Sequence, residues 1–195
     1  MFRNIMTSVF IFSFTFLFTG GLNRLLSSEK IMENFTLSDY NGKKHTLQDY
    51  QNSKAIVVMF IATRCPVSNA YNERMNKIFA DYESKGVTFL GINSNVLENV
   101  EEIKKHAEEN KFKFAVLKDP DNVIADKFKA TVTPEIYVLN SKFEILYHGR
   151  IDDSRREEEV KSQDLRKALD EVLTGKKVSV TETKAFGCTI KRAQK

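Results

Sequence analysis

The sequence predicts an α/β fold, a central mixed sheet flanked by helices and entered through an N-terminal β-hairpin. Three observations predict it. The run Ala55 to Ile61 is wholly apolar, as a strand buried on both faces of a sheet is; it turns through Arg64-Cys65-Pro66 into an amphipathic helix. A second apolar run, Val87 to Ile92, also leads into a helical pattern. After these βα units, Glu135 to Leu139 and Phe143 to His148 flank Asn140-Ser141-Lys142, as an antiparallel hairpin would.

In chain order, residues 1–28 stand apart. Arg3 precedes an apolar run from Thr7 to Phe18, and no acidic residue occurs before Glu29. A basic start followed by an apolar core reads as an export signal. The stretch 5–22 is also just long enough to cross a bilayer as an uncleaved anchor. Either way the folded part, 29–195, is expected outside the cytoplasm, in the periplasm or an equivalent compartment, as one domain ending in a tail with a cysteine. Its composition is ordinary for a globular domain: 42% of the chain is hydrophobic and 29% charged. The net charge of +4 is too weak, and no basic stripe carries interleaved aromatics, so nucleic acid is not an expected partner.

Asn41-Gly42 between Phe35–Ser38 and Lys44–Leu47 predicts the hairpin. The strand 55–61 follows, and Pro66 suits a first helical position because its missing N–H would be unpaired there anyway. Tyr71, Met75, Ile78, Phe79 and Tyr82 form the core-facing stripe of one helix running to about Glu83, which Gly86 ends. Strand 87–92 leads to a helix capped by Asn99, with Glu102 at capping-box spacing. Val100, Ile103 and Ala107 are its apolar face. Phe112 to Leu117 reads as a short strand, and Asp119-Pro120 as the start of a helix through Phe128. A last helix spans about Gln163 to Leu173, with Ser162 as cap, Gly175 as stop and Leu165, Ala168, Leu169 and Val172 as its stripe.

The chain holds two cysteines, Cys65 and Cys188. Cys65 lies between a strand end and a helix start, where unpaired N–H groups and the helix dipole favour a thiolate; Arg64 adds a cation if it points inward. Without those influences Cys65 would be a small buried hydrophobe. An even pair in an oxidising compartment is compatible with a disulfide. His45, His106 and His148 are scattered, so no metal and no cofactor is expected.

The run Phe60 to Pro66 resembles the strand, Ala and nucleophilic Cys of the thioredoxin-like fold, and Thr133-Pro134 resembles its cis-proline dipeptide. CPVSNAY (65–71), GRIDD (149–153) and GCTIK (187–191) are similar to runs in exported peroxiredoxin-like redoxins of the alkyl hydroperoxide reductase/thiol-specific antioxidant type. The resemblance implies a thiol-dependent oxidoreductase with Cys65 as nucleophile. It implies that Pro134 packs beside Cys65 and offers a strand-like edge to substrate. The chain departs from the family at Ser68, where thioredoxins place the second cysteine, and at Val58 and Ala62, where peroxiredoxins place Pro and Thr or Ser.

Three functions follow as expectations. In the first, Cys65 attacks a disulfide and Cys188 resolves the intermediate, with protein thiols or disulfides or a thioredoxin-type reductant as partners. The second is reduction of peroxide by Cys65. The third is a non-catalytic binding module. Thr63, Arg64, Pro66, Ser68, Thr133 and Pro134 are the expected supporting residues. Arg150 is a candidate cation for the thiolate, against an Arg–Asp pair holding its loop. Cys188 is alternatively a permanent structural clamp or an inert inward thiol. Arg74 is expected in a surface pair.

Overall fold

A computed structural model describes residues 31–194. The segment 1–28, with its expected signal or anchor, lies outside the described residues. Among the described residues no helix is long and apolar enough to cross a membrane. The strands are β1 (Thr36–Asp39), β2 (Lys44–Thr46), β3 (Ala55–Phe60), β4 (Val87–Asn93), β5 (Ala115–Lys118), β6 (Val132–Thr133), β7 (Glu135–Leu139), β8 (Ile145–Gly149) and β9 (Cys188–Thr189). The helices are α1 (Pro66–Asn69), α2 (Asn72–Tyr82), α3 (Val100–Glu109), α4 (Val123–Phe128) and α5 (Asp164–Leu173).

Seven strands form one mixed sheet in the order β2-β1-β5-β4-β3-β7-β8. β3 pairs parallel with β4 and antiparallel with β7. As the central strand it has all six residues buried, which is why its sequence is uniformly apolar. Ala55, Val57 and Met59 face the core shared with Tyr71, Met75, Ile103 and Leu165 of the α2, α3 and α5 side. Ile56, Val58 and Phe60 face the other core, with Phe128 of α4, Tyr137 and Ile190. Alternate side chains of one strand thus fill both layers.

The N-terminal hairpin turns at Gly42, whose φ of +82° lies in the left-handed region that glycine enters without steric cost. Asn99 and Glu102 form the reciprocal capping box on α3. Gly175 follows the end of α5 with a φ of +71°.

Several boundaries differ from the sequence expectation. The helix after Cys65 is broken into α1, a single turn, and α2. The offset falls at Tyr71, whose buried hydroxyl donates to Asp152 at 3.0 Å and whose ring lies under the Arg74 guanidinium. β5 starts only at Ala115, because Lys111 turns left-handed and the Phe112 N–H closes α3 on Ala107 O. The segment 120–128 is likewise split. Asp121 and Asn122 are left-handed, and the buried Asp119 carboxylate reaches past them to accept from the Ile124 and Ala125 N–H groups at 2.9–3.2 Å. Ser162 does not cap α5; Gln163 holds that position and the Ser162 hydroxyl donates to Asp164. The tail with its cysteine supplies β9.

Candidate functional site

Cys65 ends the loop after β3 and is the N-cap of α1. Its backbone is extended and its sulfur accepts the Ser68 N–H at 3.2 Å, with Pro66 at the first helical position. Sulfur here takes the place of the side-chain oxygen that usually caps a helix. Because α1 is one turn long, local N–H donors rather than a long-helix dipole act on Cys65. The Ser68 hydroxyl accepts the Ala62 N–H at 3.2 Å and ties the loop to the helix.

The second wall of the site is the peptide before Pro134, and the Thr133–Pro134 bond is cis. The Cys65 thiol donates to Thr133 O at 3.3 Å. β6 then pairs antiparallel with β9 in the register Thr133 to Cys188 and Val132 to Thr189. Two cysteines 123 positions apart are thereby brought together, both as free thiols. Cys65 is buried and Cys188 half-buried.

The neighbours set the two sulfurs apart. Burial pushes the Cys65 thiol up, but hydrogen bonds from the Cys188 thiol, the Thr133 side chain, and the Ser68 and Cys188 backbone N–H groups outweigh it. The net effect holds Cys65 below its ordinary value. Cys188 is pushed up by its own burial and by giving its hydrogen to Cys65. Of the two, Cys65 is thus the readier to lose its proton and Cys188 the one that holds its own.

The expected cations are engaged elsewhere. Arg64 lines the cavity at the two sulfurs, but its guanidinium pairs with Glu102. Arg150 is away from this cavity: its Nε donates to Asp164 Oδ2 at 2.8 Å, so it joins the loop after β8 to α5. Arg74, expected on the surface, is buried. It pairs with Asp152 at 2.6 Å and donates to Ser154 O, locking the GRIDD loop to α2.

Two carboxylates escaped the sequence reading. Glu98 is buried and accepts from the Thr63 and Arg64 N–H groups at 2.7 and 3.2 Å, and from the Asn93 and Asn95 side chains. Burial pushes its pKa up, yet the bonds from Thr63, Asn93 and Arg64 hold it below the ordinary 4.5. Glu98 thus shapes the loop that presents Cys65. The polar run Asn93 to Asn95 at the carboxyl end of β4, where sites gather in α/β sheets, points to this region but not to Glu98 itself. Glu135, also buried, does the same for β6, accepting the Thr131 and Val132 N–H groups at 2.7 and 3.1 Å and contacting His148 at 2.6 Å.

Residues 29–154 match the model of the AhpC/TSA family. The crystal structure of a hypothetical protein from Sinorhizobium meliloti 1021 superposes with a TM-score of 0.81 at 32% identity, covering 86% of this chain and 95% of that one. An uncharacterized conserved protein from Geobacillus kaustophilus gives the same score at 31% identity, over 86% and 93% of the two chains. The thioredoxin domain of a thiol-disulfide oxidoreductase from Bacteroides vulgatus, at 20% identity and a TM-score of 0.56 over 63% and 88% of the chains, shares the fold. Among curated proteins, the thiol-disulfide oxidoreductase ResA of Geobacillus thermodenitrificans is 26% identical over 106 residues, 54% of this chain. The chain spans 59% of that relative's length and 62% of the ResA of Halalkalibacterium halodurans. With a thioredoxin-like fold and the family model matched over most of its length, the chain belongs to the AhpC/TSA family.

Proposed function

We propose that the protein is a thiol–disulfide oxidoreductase of the redoxin type, with Cys65 as nucleophile and Cys188 as resolving cysteine. The observation that carries the reading is that the β6–β9 pairing sets Cys188 opposite Thr133, whose carbonyl accepts from the Cys65 thiol, so that both cysteines line one cavity. The curated relatives named as thiol-disulfide oxidoreductases support the same reaction class. In the reaction the Cys65 thiolate attacks one sulfur of a substrate disulfide and releases the other as a thiolate. Cys188 then loses its proton to that leaving thiolate and attacks the Cys65 sulfur, which frees the second substrate thiol. Two electrons pass from the enzyme dithiol to the substrate, leaving a Cys65–Cys188 disulfide. An external dithiol, such as a thioredoxin-type reductant, restores the pair.

Turnover of a disulfide substrate with such a reductant tests this. Cys65→Ser should abolish turnover, and Cys188→Ser should stop after one event with substrate held on Cys65. Full turnover by Cys188→Ser would refute the resolving role. Peroxide as oxidant is the second reading, and the match of residues 29–154 to the AhpC/TSA family favours it. Stopped-flow consumption of hydrogen peroxide no faster than by a free thiol would rule it out. The basic start and apolar run 5–22 support a place outside the cytoplasm, by export or anchoring. Fractionation of cells producing the full chain tests that placement: recovery from the cytoplasm alone would refute it.

A further inference from the structure

The edge of β6 lies directly against the nucleophile, since Thr133 O accepts from the Cys65 thiol. A free strand edge at such a place is where extended polypeptide adds, through backbone hydrogen bonds. Here the chain's own tail fills it. β9 takes both pairing positions of β6, and the Ile190 N–H donates to Thr131 O at 3.0 Å. Beyond β9 the tail is fastened on its other side. The Val96 N–H donates to Lys191 O at 3.1 Å, the Lys191 N–H to Asn95 Oδ1 at 2.7 Å, and the Ala193 N–H to Asn122 Oδ1 at 2.8 Å. Ile190 is buried in the core around Phe60 and Phe128. At Gly187 the approach is so close that a Cβ would lie 1.9 Å from Thr133 O. Only glycine lets the tail lie flush against the cis peptide. Cys188 follows immediately and meets Cys65 as the cysteine of an extended substrate would.

We propose that the tail strand β9 occupies in cis the edge on which an extended polypeptide disulfide would dock, and so selects compact disulfides as substrates. This rests on the thiol–disulfide reading above and names its substrate class. With the edge filled, the way to the sulfurs is a cavity of about 260 Å³ bordered by Arg64, Leu97, Glu98 and Lys191. That is below the usual range for drug-sized ligands, roughly 300–1,000 Å³. The electron balance is unchanged: Cys65 breaks the S–S bond of the small disulfide, Cys188 completes the enzyme disulfide, and two small thiols leave.

Two probes with the same leaving thiol test the selection. One is 2-hydroxyethyl disulfide; the other is an extended twelve-residue peptide whose central cysteine is in disulfide linkage with 2-mercaptoethanol. Reduced full-length protein should react at least about tenfold faster with the first, after correction by the ratio for a free thiol. Gly187→Val, which lifts the tail, should bring that ratio towards one. Cys188→Ser, which keeps the strand and loses only the thiol, should retain it although the reaction stops at the mixed disulfide. Equal corrected rates for the two probes in the wild-type protein would overturn the proposal, as would an unchanged ratio in a folded Gly187→Val. Reaction with neither probe above the free-thiol rate would instead refute the thiol–disulfide reading on which the proposal rests.

Discussion

The Cys65 sulfur is buried, and burial alone would make it a poor nucleophile. Its lowered pKa depends on donors, and the largest is the Cys188 thiol. Cys188→Ala should therefore move the inflection of Cys65 alkylation by iodoacetamide to higher pH, read by mass spectrometry of the labelled peptide. An unmoved inflection would mean that the backbone donors suffice. Glu98 acts on the loop before Cys65, through the Thr63 and Arg64 N–H groups. Glu98→Ala leaves the Thr63 and Arg64 N–H groups and two asparagine side chains without their acceptor. It should cost at least about 2 kcal/mol in urea unfolding. Because the folded pKa of Glu98 lies below the ordinary 4.5, its charge contributes stability that is fully present above that value. The contribution is lost as pH falls through the lower folded value. Glu98→Gln should be less stable at pH 7 and should lose less stability than wild type on acidification below about 4.5. Neither carboxylate was legible in the sequence. A buried Glu that binds backbone N–H groups has no periodicity or motif, and the N–H groups that Glu98 binds lie 35 and 34 positions away.

At the scale of elements, whatever is local was legible. The Asn-Gly hairpin, the apolar β3, the α3 capping box and the Cys-Pro helix start each depend on neighbouring residues, and each stands where its residues predict. The breaks were not legible, because each has a tertiary cause: Tyr71 reaching Asp152, and Asp119 capping α4 from outside it. β9 is the extreme case. Two residues, Cys188 and Thr189, become a strand only because β6 lies beside them. Its anchor is Ile190, and Ile190→Ala should cost about 2–5 kcal/mol, as large-to-small core substitutions do. It should also slow formation of the Cys65–Cys188 bridge by hydrogen peroxide or a disulfide oxidant, followed by thiol counting. A loss of stability with no change in that rate would separate the anchor from the chemistry.

For the whole molecule, the sheet makes Cys65 and the cis peptide neighbours, because β3 and β7 are adjacent and antiparallel. The end of β3 and the start of β7 therefore meet at one edge of the fold. Resemblance to the redoxins made that half of the site readable from Cys65 and Thr133-Pro134. The other half, Cys188, was readable as a second cysteine in a run of its own, but no spacing over 123 positions places it. Only the pairing of the tail with β6 does, and the match to the family model, ending at residue 154, does not reach it. The most direct test is non-reducing peptide mapping of the protein after one equivalent of oxidant. The account predicts a single intramolecular Cys65–Cys188 bridge that a dithiol reductant reopens. Oxidised protein in which Cys65 is modified while Cys188 remains a free thiol would contradict it.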